Sequence, residues 1–76
     1  MEKKVIVKLQ SLLQEHNLSS RELSRLTDVP RSTIRKLIRQ EIQNIHLNHI
    51  SRIAAFFGIN DIREIIDLVD IPTESL

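Results

Sequence analysis

Cysteine, tryptophan and tyrosine are absent from this 76-residue chain, glycine occurs once (Gly58), proline twice (Pro30 and Pro72), and phenylalanine twice (Phe56 and Phe57). Without cysteine there are no disulfides and no thiolate metal sites, so a disulfide-stapled secreted mini-protein is excluded. So little glycine and aromatic content argues against a sandwich or barrel, which needs turn residues and β-formers in quantity. No run approaches the roughly 20 apolar residues that span a bilayer. The N-terminal stretch from Met1 to Lys8 is too short and too polar for a signal peptide, and a soluble cytoplasmic protein is the expectation. Nor is there a glycine-rich phosphate loop, a nucleophile elbow or a carboxylate pair in an apolar setting. No catalytic residue, cofactor or small-molecule ligand is expected. His46 and His49 have helical metal-ligand spacing, but no third ligand stands at a suitable distance in sequence, so no metal is expected either.

What is present is aliphatic: Leu, Ile, Val and Ala supply most of an apolar share of 41%, enough for one small core and too much for a disordered chain. The spacing predicts five short helices in a single domain spanning 1–76. Ile6, Leu9, Leu12 and Leu13 recur at helical intervals, giving a first helix over 3–15 that Asn17 terminates. Ser19-Ser20-Arg21-Glu22 is a capping box, with Leu18 and Leu23 as its hydrophobic staple, opening a second helix over 20–26. Val29-Pro30 starts a third, over 30–39. Leu47, Ile50, Ile53, Ala54 and Phe57 give a fourth over 46–57, which Gly58 closes in a left-handed conformation. Asn60 caps a fifth over 60–70, with Ile62, Ile65, Ile66 and Val69 on one face and Pro72 as its stop.

The segment 19–39 carries the functional signal. Two short helices are joined by a tight turn at 27–30, the helix-turn-helix layout. Leu23, Leu26, Val29, Ile34 and Leu37 are expected to meet in one small core. The free face of the third helix then displays Arg31, Ser32, Arg35, Lys36 and Arg39, with Thr33 at its edge. Such a helix fits the major groove of B-DNA, where Arg and Lys donate to guanine O6 and N7, and its other cations can neutralise phosphates.

Charge is distributed accordingly. Residues 19–40 hold Arg21, Arg25, Arg31, Arg35, Lys36 and Arg39 against Glu22 and Asp28, a balance of +4. Residues 41–76 hold Arg52 and Arg63 against Glu41, Asp61, Glu64, Asp67, Asp70 and Glu74, a balance of −4. One surface is built to meet a polyanion and another to avoid it.

The run Leu18-Ser19-Ser20-Arg21-Glu22-Leu23-Ser24-Arg25-Leu26-Thr27-Asp28-Val29-Pro30-Arg31-Ser32-Thr33-Ile34, followed by Leu47-x-x-Ile50-x-x-Ile53-Ala54-x-x-Phe57-Gly58-Ile59, resembles the Cro/CI (Xre) family of helix-turn-helix regulators over about residues 5–70. The resemblance implies an all-α, five-helix, lambda-repressor-like DNA-binding domain, a double-stranded DNA operator as partner, and a homodimer. It implies base contacts from Arg31, Ser32 and Lys36, to which the free-face reading adds Arg35. It places Ser20 near a phosphate, with Ser19 and Arg21 beside it, and further phosphate contacts at Arg39, Gln43, Asn44 and His46. The sequence departs from the family pattern at Ser24, where alanine is usual and where the hydroxyl can bond back to a helix carbonyl. It also departs at Asp28 and Gln40, where glycine is usual.

Phe56, Leu68 and Ile71 fall off the apolar stripes and are candidates for the dimer contact. The competing expectation is that Phe56, Leu68 and Ile71 fold back on the first helix, which also has spare apolar residues at Val5 and Val7. A repressor that occludes a promoter at a short palindromic operator is the reading favoured here. The rival is a helix-turn-helix protein-interaction module that binds no DNA, such as an anti-repressor.

Overall fold

The computed structural model describes residues 2–41 and 43–71. Its elements are a strand at Glu2–Val7 (β1), helices at Leu9–Glu15 (α1), Ser20–Thr27 (α2), Arg31–Ile38 (α3) and Leu47–Phe57 (α4), a 3₁₀ turn at Ile62–Glu64, and a strand at Ile66–Ile71 (β2). The domain is therefore small and helical, but neither all-α nor five-helix. The segment expected as a single first helix divides into β1 and α1. The fifth helix is replaced by the 3₁₀ turn and β2, and Asp61 caps that turn by accepting the Arg63 N–H at 2.9 Å, where Asn60 was expected to cap a helix. The stop assigned to Pro72 lies outside the described residues.

The physical reason is the pairing of the two terminal segments. Val5-Ile6-Val7 and Ile65-Ile66 are contiguous β-branched runs, stiff at χ1 and better suited to a pleated surface than to a helix. β1 and β2 pair antiparallel, with Lys3 opposite Asp70, Val5 opposite Leu68 and Val7 opposite Ile66. The Lys8 N–H continues the ladder by donating to the Ile65 carbonyl at 2.7 Å. Lys3 is bonded to Asp70, and Lys8 Nζ lies 3.1 Å from the Asp67 carboxylate. Asp67 and Asp70 are thus paired strand residues. Exposed pairs of this kind stabilise little. Their use is in register, since a one-residue slip would move every side chain to the other face.

The helices behave as their caps dictate. Ser19 accepts from the Glu22 N–H at 3.1 Å, and the Glu22 carboxylate accepts from the Ser19 N–H at 3.2 Å. Asn17, Asp28, Gln40 and Gly58 all take left-handed φ values, 54°, 63°, 61° and 69°. After α1, the N–H groups of Leu18 and Asn17 donate back to Leu13 and Gln14, and after α3 those of Glu41 and Gln40 donate back to Lys36 and Leu37. Both closures are Schellman turns, which satisfy the last helical carbonyls.

The core gathers Val7, Leu9, Leu12, Leu13, Leu23, Val29, Ile34, Leu37, Ile50, Ile53 and Ile65. Leu26, expected in the core, is 47% exposed, and Leu47, on the apolar stripe of the fourth helix, is 76% exposed. On α2 the buried seam runs from Leu23 to Thr27, one helical turn apart, which rotates Leu26 outward. Leu47 is the first residue of α4, with no preceding turn to cover it. Removing the Ile34 side chain beyond Cβ should cost about 2–5 kcal/mol, because the site is fully enclosed and leaves a cavity. Leu26→Ala should cost less than about 1 kcal/mol. Denaturant titration checks both, and equal losses at the two positions would contradict the placement of α2.

Candidate nucleic-acid interface

The interface rests on the turn between α2 and α3. Val29 is fully buried there, and its backbone groups need partners out of water. The Ser24 hydroxyl donates to the Val29 carbonyl at 2.7 Å. The Thr27 hydroxyl donates to the Leu23 carbonyl at 2.6 Å and accepts a long bond of 3.4 Å from the Val29 N–H. Ser24 therefore reaches forward into the turn and not back along its own helix, as its sequence position suggested. From α4, Arg52 Nη1 donates to the Asp28 carbonyl at 3.2 Å. Sequence reasoning missed this tie, which joins residues 24 positions apart. Alanine at position 24 would leave the Val29 carbonyl without that donor, so here the departure from the common pattern has a purpose.

With the turn satisfied, Pro30 (φ −55°) leads directly into α3. Ile34 and Leu37 turn inward, and Arg31, Ser32, Arg35, Lys36 and Arg39 are all exposed, with Thr33 half-buried. None of the four cations makes an ion pair among the described residues; the pairs present there join Lys3, Lys8 and Arg63 to aspartates. On the preceding element Ser19 and Arg21 are exposed and Ser20 is half-buried. The Ser19 hydroxyl is already engaged in the capping box, so Ser20 and Arg21 are the freer groups.

Beyond α3, Thr33, Lys36, Glu41, Gln43 and Asn44 line one open cleft of about 370 Å³. The fold thus brings Lys36 together with Gln43 and Asn44. Glu41 was not anticipated; its place depends on the left-handed turn at Gln40, which no local periodicity encodes. His46 precedes α4, and its ring stacks on that of His49 with centroids 4.5 Å apart. His49 is half-buried, and its Nδ1 has no partner among the described residues. The candidate dimer residues do not form one patch. Phe56 is 40% and Leu68 63% exposed, but Leu68 and Ile71 stand three positions apart on β2 and so face opposite sides of the ribbon. Leu68 and Ile71 do lie against the segment expected as part of the first helix, but that segment is the strand β1, with which both pair.

Among the described residues no helix is long and apolar enough to cross a membrane. Residues 8–70 match the model of the Cro/C1-type HTH DNA-binding domain. A crystal structure of the transcriptional regulator VanUg (form II) superimposes with a TM-score of 0.72 at 26% identity, covering 93% of this chain and 92% of that one. No curated protein sequence matches the chain.

Loss of hydration lowers the His49 pKa from 6.5, with the neighbouring His46 and then Arg52 acting in the same direction. The unfolded chain therefore binds the proton more readily, and this site's contribution to stability is full above pH 6.5 and is lost as pH falls through the lowered folded value. Proton titration followed by NMR should place the His49 midpoint below 6.5 and move it upward in His46→Ala. A midpoint unmoved by that substitution would mean the two rings are not in contact.

Proposed function

The chain belongs to the family of Cro/C1-type helix-turn-helix DNA-binding domains, and from that premise we propose that it is a sequence-specific transcriptional regulator that binds a short palindromic operator as a homodimer and represses by occluding a promoter. One observation carries the reading. The helix that follows the turn presents on a single exposed face four cations that make no ion pair among the described residues, while three of the acidic residues at the C-terminal end are paired with Lys3, Lys8 and Arg63. The unbalanced positive charge is therefore concentrated where an α-helix can enter a major groove.

In this reading Arg31, Ser32, Arg35 and Lys36 contact base edges. Ser19, Ser20, Arg21, Arg39, Gln43, Asn44 and His46 contact phosphate and fix the register of the helix on the duplex. A symmetric dimer sets two such helices about 34 Å apart, one turn of B-DNA. Phe56, Leu68 and Ile71 remain the candidates for the contact between copies. Leu68 is the best placed, because the exposed Val5 stands opposite it on β1 and extends its apolar surface.

Arg31→Ala and Lys36→Ala should each weaken operator binding by about 1–3 kcal/mol without loss of folding, since both side chains are exposed. The operator itself comes from in-vitro selection of duplex DNA with purified protein, where an enriched inverted repeat is expected. Failure to enrich any sequence would favour the protein-interaction module.

For the dimer, Leu68→Glu should give a folded monomer with weak operator affinity. Sedimentation at tens of micromolar, with and without operator, reads the outcome. A native protein that occupies its operator as a single copy would refute the dimer.

A further inference from the structure

Gln40 is held at both its backbone and its side chain. Its backbone closes α3: the N–H groups of Gln40 and Glu41 donate to the carbonyls of Leu37 and Lys36 at 3.2 and 2.9 Å. Its side chain crosses to β1. There the carboxamide oxygen accepts the Val7 N–H at 2.8 Å, and the carboxamide nitrogen donates to the Val7 carbonyl at 2.7 Å. Val7 stands in a pair whose backbone groups point away from β2, since the ladder bond beside it is made by Lys8. The side chain of Gln40 thus occupies the place of one residue of a third strand.

The backbone at this position has φ 61°, where a residue with a Cβ is strained and glycine is not. Glycine or asparagine would make the turn more cheaply, but neither could make the clasp. Glycine has no side chain, and asparagine is one methylene too short. Gln40 sits between the recognition helix and the segment carrying Gln43, Asn44 and His46. We propose that Gln40 is a positioning residue for DNA binding: by bolting the C-terminal end of α3 to Val7, it fixes the pitch of the recognition helix and the root of the phosphate-contacting segment against the terminal ribbon.

The proposal rests on the operator-binding reading, and two measurements separate the fate of one from the other. Amide exchange at Val7 in the free protein reports the clasp without DNA, because Gln40 is the partner of that N–H. Operator affinity, measured well below the melting temperature of each variant, reports positioning.

Gln40→Asn keeps or eases the left-handed turn, so the variant should fold. Val7 protection should be lost and affinity should fall by about tenfold, the scale of two ordinary neutral hydrogen bonds. Gln40→Gly should do the same, with the turn relaxed further. Gln40→Glu supplies a conditional rescue. Its carboxylate can accept from the Val7 N–H but cannot donate to the Val7 carbonyl, whereas the protonated acid can do both. Relative to the native protein at each pH, both Val7 protection and affinity should recover as pH is lowered from 7 to about 5, because the clasp favours the protonated form.

A tie that served stability alone would lower the melting temperature and leave the affinity of the folded variants unchanged. Affinity within twofold of native for Gln40→Asn with Val7 unprotected would overturn the positioning role, and native Val7 protection in that variant would overturn the clasp itself. Absence of operator binding by the native protein would overturn the DNA-binding reading, and the positioning role with it.

Discussion

The turn at Asp28–Val29, with Val29 fully buried, is the constraint from which the rest follows. A chain that reverses direction inside its own core must find partners for polar backbone groups that water cannot reach. For Val29 the partners are two hydroxyls from α2, and a guanidinium from α4 reaches the carbonyl of the exposed Asp28 beside it. Because they converge on one dipeptide, the crossing of α2, α3 and α4 is settled at a single point. The direction of α3 follows, and so does the identity of the face it leaves in solvent. Moving any of the three partners would tilt the cationic face before it touched a single cation.

The central part of this arrangement was legible in the sequence because it is local. A capping box spans four residues, a left-handed closing residue is written in one or two, and a cationic stripe at helical spacing needs only α3 itself. The ends of the chain were not legible for the opposite reason. Ile6 with Leu9, and Ile62 with Ile65, Ile66 and Val69, satisfy helical spacing as well as strands do. The contiguous Val5-Ile6-Val7 favours a strand, but a strand needs a partner, and that partner lies about 60 positions away. The only trace of it was complementary charge, with Lys3, Lys4 and Lys8 at one end and Asp67 and Asp70 at the other. Ser24 and Gln40 show the same limit at the scale of single residues. Both looked like weaker versions of a common residue, and both make specific bonds visible only once the turn has its shape.

The strand pairing also alters the meaning of the two charge blocks. Read along the chain, a basic middle is followed by an acidic end. In the fold, much of the acidic end is matched by N-terminal lysines and by Arg63. Beside its ion pair with Lys8, Asp67 accepts the Leu68 N–H at 2.8 Å. That bond is the leading cause holding its carboxyl below the usual range. The same bond occupies a backbone donor on the outer edge of β2, much as Gln40 occupies both groups of Val7 on the edge of β1. A two-stranded ribbon has two free edges, and each is a template for unwanted pairing. Here a side chain occupies one position on each edge, Val7 on β1 and Leu68 on β2.

The ribbon also gives the domain a history as well as a shape. Contacts among α1 to α4 span modest stretches of chain and can form early, whereas β1 waits for β2. Closing a loop of that length costs roughly 3–4 kcal/mol of chain entropy, and such distant contacts slow folding more than they limit final stability. On the ribosome, β1 emerges first and remains an unpaired, Val- and Ile-rich segment until almost all of the domain has been made. For that interval the C-terminal end of α3 has only an unpaired segment to clasp, because Gln40 bonds to Val7. Pairing with the last-made strand then gives Val7 a fixed place and, through Gln40, gives one to the end of α3.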